Sequence, residues 1–312
     1  MTRVALVGSG VVGSSWSLVF ARAGLDVVVH DPDRASAERV VDYVRSALVD
    51  PEALKLASGG NCEAILSRLK IASSLEDALT GADYIQESAP ERLDVKKDLY
   101  KRLDVLADPN AILASSTSGL PASSFTEGLE HRHRCLVVHP INPPHLVPLV
   151  EIVPASWTAP AVVDRATDLM REVGQSPIRL RREINGFVVN RLQSAILGEA
   201  FRLVEDGICD ADEVDRAISD GLGLRWFFMG PFETIDLNAK NGIAEYCRNL
   251  GQMYFELAKE QADPRPWGAK LVESIEHTLR QKVPECELAN RRSWRDSYIA
   301  RLRSMTLANG SS

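Results

Sequence analysis

The chain has 312 residues, 45% hydrophobic and 25% charged, a balance that leaves room for two cored domains and excludes a disordered or collagen-like polymer. Its formal net charge of −7 argues against a nucleic-acid partner, since phosphate binding needs a basic surface and the arginine runs at Arg179–Arg182 and Arg291–Arg292 are short. Five scattered cysteines without a CxxC pair, no apolar run of about 18 residues and no export signal lead to the expectation of a cytoplasmic protein with reduced thiols, no metal and no membrane span.

Val4-Ala5-Leu6-Val7 is an unbroken apolar run, as in a buried strand. It ends in Gly8-Ser9-Gly10-Val11-Val12-Gly13, after which Trp16, Leu18, Val19, Phe20 and Ala23 recur at helical spacing. Val27-Val28-Val29 makes a second strand, with Asp31 just past its end. In such a unit Gly8 permits a tight turn, Gly10 lets backbone approach a pyrophosphate, and Gly13 allows close helix packing. The helix N-terminus faces the phosphates, and Asp31 accepts the ribose hydroxyls. This predicts a dinucleotide site, and a carboxylate that repels a 2′-phosphate favours NAD over NADP. Arg34 is assigned to a surface pair with Glu38.

The segment from Pro32 to Leu69 reads as a helix to Val49, a break at Pro51, a Ser58-Gly59-Gly60 loop and a second helix. Such an excursion either packs or overhangs the cofactor cleft. Short apolar strands near Leu69, Ala82, Ala111 and Cys135, alternating with helices, indicate an α/β fold with a parallel doubly wound sheet whose ligands sit at the carboxyl ends of the strands. At one such end Pro90-Glu91 reads as a helix start or a nucleotide contact, with Lys96 one turn on. At another, Ser115-Ser116-Thr117-Ser118 offers hydroxyls to a substrate carbonyl or simply caps a turn. His131-x-His133 reads as loop surface.

Val138-His139-Pro140-Ile141-Asn142-Pro143-Pro144, followed by Leu149-Val150-Glu151-Ile152, puts a histidine and a glutamate on neighbouring strand ends. An imidazole oriented by a carboxylate is a proton-transfer pair near neutral pH; a structural histidine beside a proline turn is the alternative. Past a strand near Pro177 the period becomes helical, with Phe187, Val188, Leu192, Ile196, Ala200, Leu203 and Val204 on one stripe. The pattern divides the chain into two domains: residues 1–184, a Rossmann-type dinucleotide-binding domain, and residues 185–312, all-helical, for substrate binding and dimerisation. Arg225-Trp226-Phe227-Phe228-Met229 reads as core or subunit interface, with an arginine able to hold a carboxylate.

Together the glycine turn, Ser115–Ser118, the His139–Pro144 stretch, Leu149-Val150-Glu151 and Gly186-Phe187-Val188-Val189-Asn190-Arg191 resemble the 3-hydroxyacyl-CoA dehydrogenase superfamily, from Val4 to about Arg303. Asn142-Pro143-Pro144, Gly221–Trp226, Gly230–Thr234 and Arg291–Asp296 are most similar to its L-gulonate 3-dehydrogenase (lambda-crystallin) branch. The resemblance implies NAD as cofactor, His139 as catalytic base, Glu151 as its partner, and Ser118 and Asn190 as substrate contacts. It also implies Val11, Val12, Asp31, Glu91 and Lys96 as NAD contacts, and a homodimer. The acyl-CoA enzymes usually carry an asparagine before the Thr-Ser pair and an aromatic after the histidine, where this chain has Ser116 and Pro140. The expected substrate is therefore a small free 3-hydroxy acid such as L-gulonate, its carboxylate held by Arg225. A 3-hydroxyacyl-CoA or carnitine dehydrogenase is the alternative; a non-enzymatic structural role is at odds with intact His139 and Glu151.

Overall fold

The computed structural model describes residues 2–57 and 61–308, so the expected Ser58-Gly59-Gly60 loop lies outside the described residues. Two compact units emerge, residues 1–188 with 292–312, and residues 189–291. The first break falls four residues beyond the expected boundary at 184, and the C-terminal residues group with the first unit although the sequence pattern had joined them to the second.

The first unit opens with β1 (Arg3–Val7), α1 (Val11–Arg22), β2 (Asp26–His30) and α2 (Arg34–Ala47), the last capped by the Asp33 carboxylate on the Ala35 amide. Short helices α3 (Pro51–Lys55) and α4 (Cys62–Leu66) lead to β3 (Leu69–Ile71). Pro51 thus starts a helix rather than only breaking one, as its fixed φ and missing N–H allow at a first helical position. The chain continues through α5 (Leu75–Leu79), β4 (Tyr84–Glu87), α6 (Leu93–Leu106), β5 (Ile112–Ser115), α7 (Ser123–Thr126), β6 (Cys135–Pro140), β7 (Leu149–Pro154), α8 (Pro160–Glu172) and β8 (Ser176–Arg179).

The eight strands form one sheet in the order β3-β2-β1-β4-β5-β6-β7-β8. The run from β3 to β6 is parallel, as the apolar strands predict, while β7 runs antiparallel to β6. Chain order reverses between β1 and β4, the crevice where doubly wound sheets bind nucleotides. Val4, Leu6, Trp16, Phe20, Val27 and Val29 belong to the core on one face, and Ala5, Ile85, Tyr100, Leu113 and Phe125 to that on the other.

The second unit consists of α9 (Val189–Glu205), α10 (Ala211–Arg216), a π-turn at Ala217–Leu222, α11 (Gly223–Trp226), α12 (Pro231–Leu237), α13 (Ile243–Glu260), α14 (Ala269–Lys282) and the start of α15 (Leu288–Ala308). Phe201 stacks on Trp267 with ring centroids 4.1 Å apart, and Arg265 bonds Asp206 at 2.6 Å. Among residues 189–291 only Thr234 is buried, whereas Phe228 and Phe232 are 73% and 75% exposed. Among the described residues no helix is long and apolar enough to cross a membrane.

One helical assignment fails. Phe187 and Val188 do not belong to the long helix, which begins at Val189. Gly186 and Phe187 have φ of 75° and 47°, and the Phe187 amide donates to the Ile184 carbonyl at 3.0 Å, closing a turn. A non-glycine residue in left-handed backbone is costly enough to need support from its surroundings, and Phe187 is fully buried.

Candidate active site

The carboxyl ends of β1, β2, β4, β5 and β6 build the site. Hydrogen bonds continue past the strands: the Gly8 amide donates to the His30 carbonyl (2.9 Å), Ser88 to Val7 (2.7 Å) and Ser116 to Glu87 (2.8 Å), which locks the three loops together. Gly8 has φ of +100°, and a Cβ there would lie 2.6 Å from the Ser88 carbonyl oxygen. A Cβ on Gly13 would lie 1.9 Å from the Gly8 carbonyl oxygen, so α1 can start here only without one. A Cβ on Gly10, by contrast, would meet nothing within 4 Å. That open space, in front of an α1 N-terminus with no side-chain cap and beginning Val11-Val12-Gly13, suits a phosphate approaching the backbone.

Gly8, Gly10, Asp31, Pro32, Ser88 and Arg102 are among the residues around a cleft of about 670 Å³. The Asp31 Oδ2 accepts from the Ser9 amide and hydroxyl, both at 2.8 Å, and Oδ1 accepts from the Asp33 amide at 2.9 Å. A carboxylate oxygen has two lone-pair directions, so Oδ1 retains room for one further donor of the ribose type. These residues fit the adenosine and pyrophosphate portions of a dinucleotide.

Glu91 and Lys96 are placed differently from a simple nucleotide contact. Pro90 does not start a helix; it forms a turn with Arg92 ahead of α6. Lys96 is buried, with its Nζ on Glu87 at 2.8 and 3.0 Å and 3.5 Å from Glu91. Glu91 accepts from the Thr117 hydroxyl, the Ser118 amide at 3.0 Å and the Gly119 amide at 3.2 Å. Burial alone would raise the Glu91 carboxyl, but the Thr117 hydroxyl, Lys96 and the two amides hold it below its ordinary value. The pair Lys96–Glu91 therefore shapes the loop that displays Ser118.

His139 and Glu151 are directly opposed partners on β6 and β7. The imidazole Nδ1 lies 2.7 Å from Glu151 Oε2, and the Val188 amide donates to Oε1 at 2.7 Å. Glu151 is fully buried and His139 is 5% exposed. A carboxylate only accepts, so it fixes the hydrogen on Nδ1 and leaves a lone pair on Nε2, an arrangement able to accept a proton. The Phe187 ring packs against the imidazole at a centroid distance of 5.6 Å. The left-handed turn thus does two things at once: it delivers the Val188 amide to Glu151 and a ring to His139.

Asn190 lies in the first turn of α9, half-buried, and Arg225 is exposed on α11; both belong to the second unit. Sequence reasoning missed the Val188 amide, the Phe187 contact and the group around Ser116. The Ser116 hydroxyl accepts from Trp16 Nε1 (3.1 Å) and Gln86 Nε2 (2.7 Å) and lies 2.9 Å from the Ser88 hydroxyl. A polar Gln86 at the centre of an apolar strand was the available signal, because a buried amide must find partners.

Comparison with known proteins shows the family. Residues 3–184 match the NAD binding domain of 3-hydroxyacyl-CoA dehydrogenase and residues 186–283 its C-terminal domain. The chain belongs to the 3-hydroxyacyl-CoA dehydrogenase family, whose members are NAD-dependent oxidoreductases acting on a CH–OH group. It is 43% identical over 305 residues to a lambda-crystallin homolog from Bos taurus, covering 96% of this chain and 94% of that protein. An L-carnitine dehydrogenase from a Pseudomonas species is 39% identical over 296 residues, covering 95% of this chain and 91% of that one. Among solved structures, 5-formyl-3-hydroxy-2-methylpyridine 4-carboxylic acid 5-dehydrogenase, an NAD+-dependent dismutase, superposes with a TM-score of 0.83 at 27% identity over 100% of both chains.

Proposed function

We propose that this chain oxidises the 3-hydroxyl of a small free 3-hydroxy acid, with L-gulonate as the leading candidate. The observation that carries the reading is the buried His139–Glu151 pair at 2.7 Å, a base with its tautomer fixed. When bound, NAD supplies the acceptor for the hydride leaving the carbinol carbon. Gly8, Gly10, the Val11–Gly13 turn and Asp31 are assigned to hold the cofactor. His139 Nε2 takes the hydroxyl proton, and Glu151 stabilises the imidazolium so formed. Ser118, on the loop shaped by Glu91, is assigned to the oxygen that becomes a carbonyl. Asn190 is assigned as a substrate contact on the family resemblance, and Arg225 because a guanidinium suits a substrate carboxylate. The exposed aromatics of the second unit support a homodimer, in which a second copy covers them.

NADH formation compared for L-gulonate, 3-hydroxybutyryl-CoA and L-carnitine tests the substrate. The proposal expects the highest kcat/KM with L-gulonate or a related free acid. A higher value for the thioester replaces it with a 3-hydroxyacyl-CoA dehydrogenase. A higher value for L-carnitine, which the 39% identity to an L-carnitine dehydrogenase makes the second reading, keeps the chemistry and changes the recognised group.

A further inference from the structure

Residues 141–148 join β6 to β7, so their path sets the register in which His139 faces Glu151. Within that connection the buried His145 is tied to other elements through its ring, its amide and its carbonyl. The Ser15 hydroxyl lies 2.7 Å from His145 Nδ1 and accepts from the His145 amide at 3.1 Å. Burial, then Arg22 and Arg303, pushes the His145 imidazole down to about 3, so it is neutral near pH 7. Ser15 and His145 are thus joined twice, once through the ring and once through the backbone amide. The Tyr43 hydroxyl stands 3.5 Å from the same nitrogen, with its ring edge-on to the imidazole.

The His145 carbonyl takes two cations. Arg22 Nη1 donates to it at 2.6 Å and Arg303 Nη1 at 3.1 Å, while Arg303 Nη2 donates to the Gly174 carbonyl at 2.6 Å. Hydrogen bonds with an ionised donor are about twice as strong as neutral ones, and a guanidinium fork fixes direction as well as distance. Arg303 lies on α15, beyond the residues 186–283 that match the family's C-terminal domain. The same stretch of α15 is fastened by the Ser304 hydroxyl on Glu52 at 2.7 Å, and by Ala300 packing with Ala53 and Leu146.

We propose that Arg303 of α15, together with Ser15 and Arg22 of α1, clamps His145 and so holds the β6–β7 connection in the register that keeps His139 against Glu151. None of the three touches the reacting atoms; they are positioning residues, and the inference rests on His139 being the base. The arrangement also ties the base to α1, whose first turn is assigned to the cofactor phosphates.

The test uses the full-length enzyme and four variants besides the parent: Arg303→Met, Ser15→Ala, His139→Gln and, as a docking control, Ser304→Ala. Misplacing a base by about 1 Å costs on the order of 10²-fold. Arg303→Met and Ser15→Ala are therefore each expected to lower kcat about 10- to 100-fold with KM for NAD unchanged. A base farther from Glu151 forms its imidazolium less readily, so the acidic limb of the kcat/KM profile moves to lower pH in both. Ser304→Ala lowers the melting temperature and leaves kcat and the limb in place. If Arg303→Met does not fold, Ser15→Ala, which removes one oxygen, decides alone. Parental kcat and an unmoved limb in the folded variants, with His139→Gln inactive, overturn the clamp. An active His139→Gln overturns the base itself, a result told apart from the first because it leaves no base to position.

Discussion

Replacing Glu151 by glutamine changes one atom and removes a charge, and its contacts with His139 and Val188 set the consequence. The Val188 amide donates to Oε1 and His139 Nδ1 lies on Oε2, 2.7 Å in each case. Val188 requires an oxygen at its end of the amide, which turns the NH2 toward His139. Nδ1 must then accept, the ring hydrogen moves to Nε2, and the nitrogen assigned to the substrate loses its lone pair. Turning the amide over restores the tautomer but buries two donors face to face, at about 1–3 kcal/mol, roughly 5- to 150-fold in rate. Loss of the charge that stabilises the imidazolium adds to this. The expected fall in kcat for Glu151→Gln is about 10³- to 10⁴-fold, the size seen when a carboxylate orienting a catalytic histidine becomes an amide. NADH binding, followed by fluorescence titration, should stay near the parental value, and residual activity should show its acidic limb at lower pH. A folded variant with kcat within tenfold of the parent refutes the tautomer argument.

Asp31→Ser should raise KM for NAD and narrow the preference over NADP, because a ribose acceptor and a repelling charge are lost together; steady-state kinetics with both cofactors checks it, and a parent enzyme that already prefers NADP contradicts it. Gly10→Ala should melt like the parent yet bind NADH poorly, since its Cβ enters open space, whereas Gly13→Ala, whose Cβ would sit 1.9 Å from a carbonyl oxygen, should lose stability as well; thermal melts and NADH titration separate the two. Arg225→Met should raise KM for a free 3-hydroxy acid by one to two orders of magnitude, from about 1.5–3 kcal/mol for a charge-assisted bond, with kcat less affected; unchanged KM would remove Arg225 from the site. His145 stays neutral in the folded chain down to about 3 but takes a proton from about 6.5 when unfolded, so its contribution is complete above 6.5 and lost as pH falls toward 3, about 2 kcal/mol of it by pH 5. The melting temperature of His145→Asn should accordingly fall less between neutral pH and pH 5 than that of the parent, and equal slopes would refute the linkage.

What could be read in the sequence was local or periodic. The glycine turn comes from spacing, the sheet from short apolar runs, and the His139–Glu151 pair from two runs flanking a proline-rich turn. The errors and omissions lie where a partner is remote. Phe187 fits a helical stripe, and no local pattern reveals that Gly186 turns the chain so that this side chain reaches His139. Ser15, His145 and Arg303 meet across 130 and 158 positions, beyond any periodicity. A weak signal existed: Ser14, Ser15 and Ser17 lie on an otherwise apolar, wholly buried stretch of α1, and buried hydroxyls demand acceptors. Lys96 shows the converse, since a lysine one turn past a strand end suggests an exposed contact, yet Glu87 draws it into the interior.

The network around Ser116 changes the weight of one sequence argument about substrate. Tyr84 donates to Gln86 Oε1 at 2.5 Å, which fixes the amide so that Nε2 donates to Ser116 at 2.7 Å. Trp16 Nε1 is a second donor to the same hydroxyl, so both of its lone pairs are taken and its own hydrogen is left for Ser88. Ser88 borders the cleft next to Gly8 and Gly10. A directed chain of donors thus runs from Tyr84 through Gln86 and Ser116 to the cleft wall. The serine that departs from the acyl-CoA enzymes is held by three partners within the dinucleotide fold, and its effect falls on that wall. Pro140 likewise completes β6 opposite Val150, where it closes the strand that positions His139. The case for a free hydroxy acid over a thioester therefore rests less on Ser116 and Pro140 than on Arg225, and the substrate comparison must be read together with the Arg225→Met result.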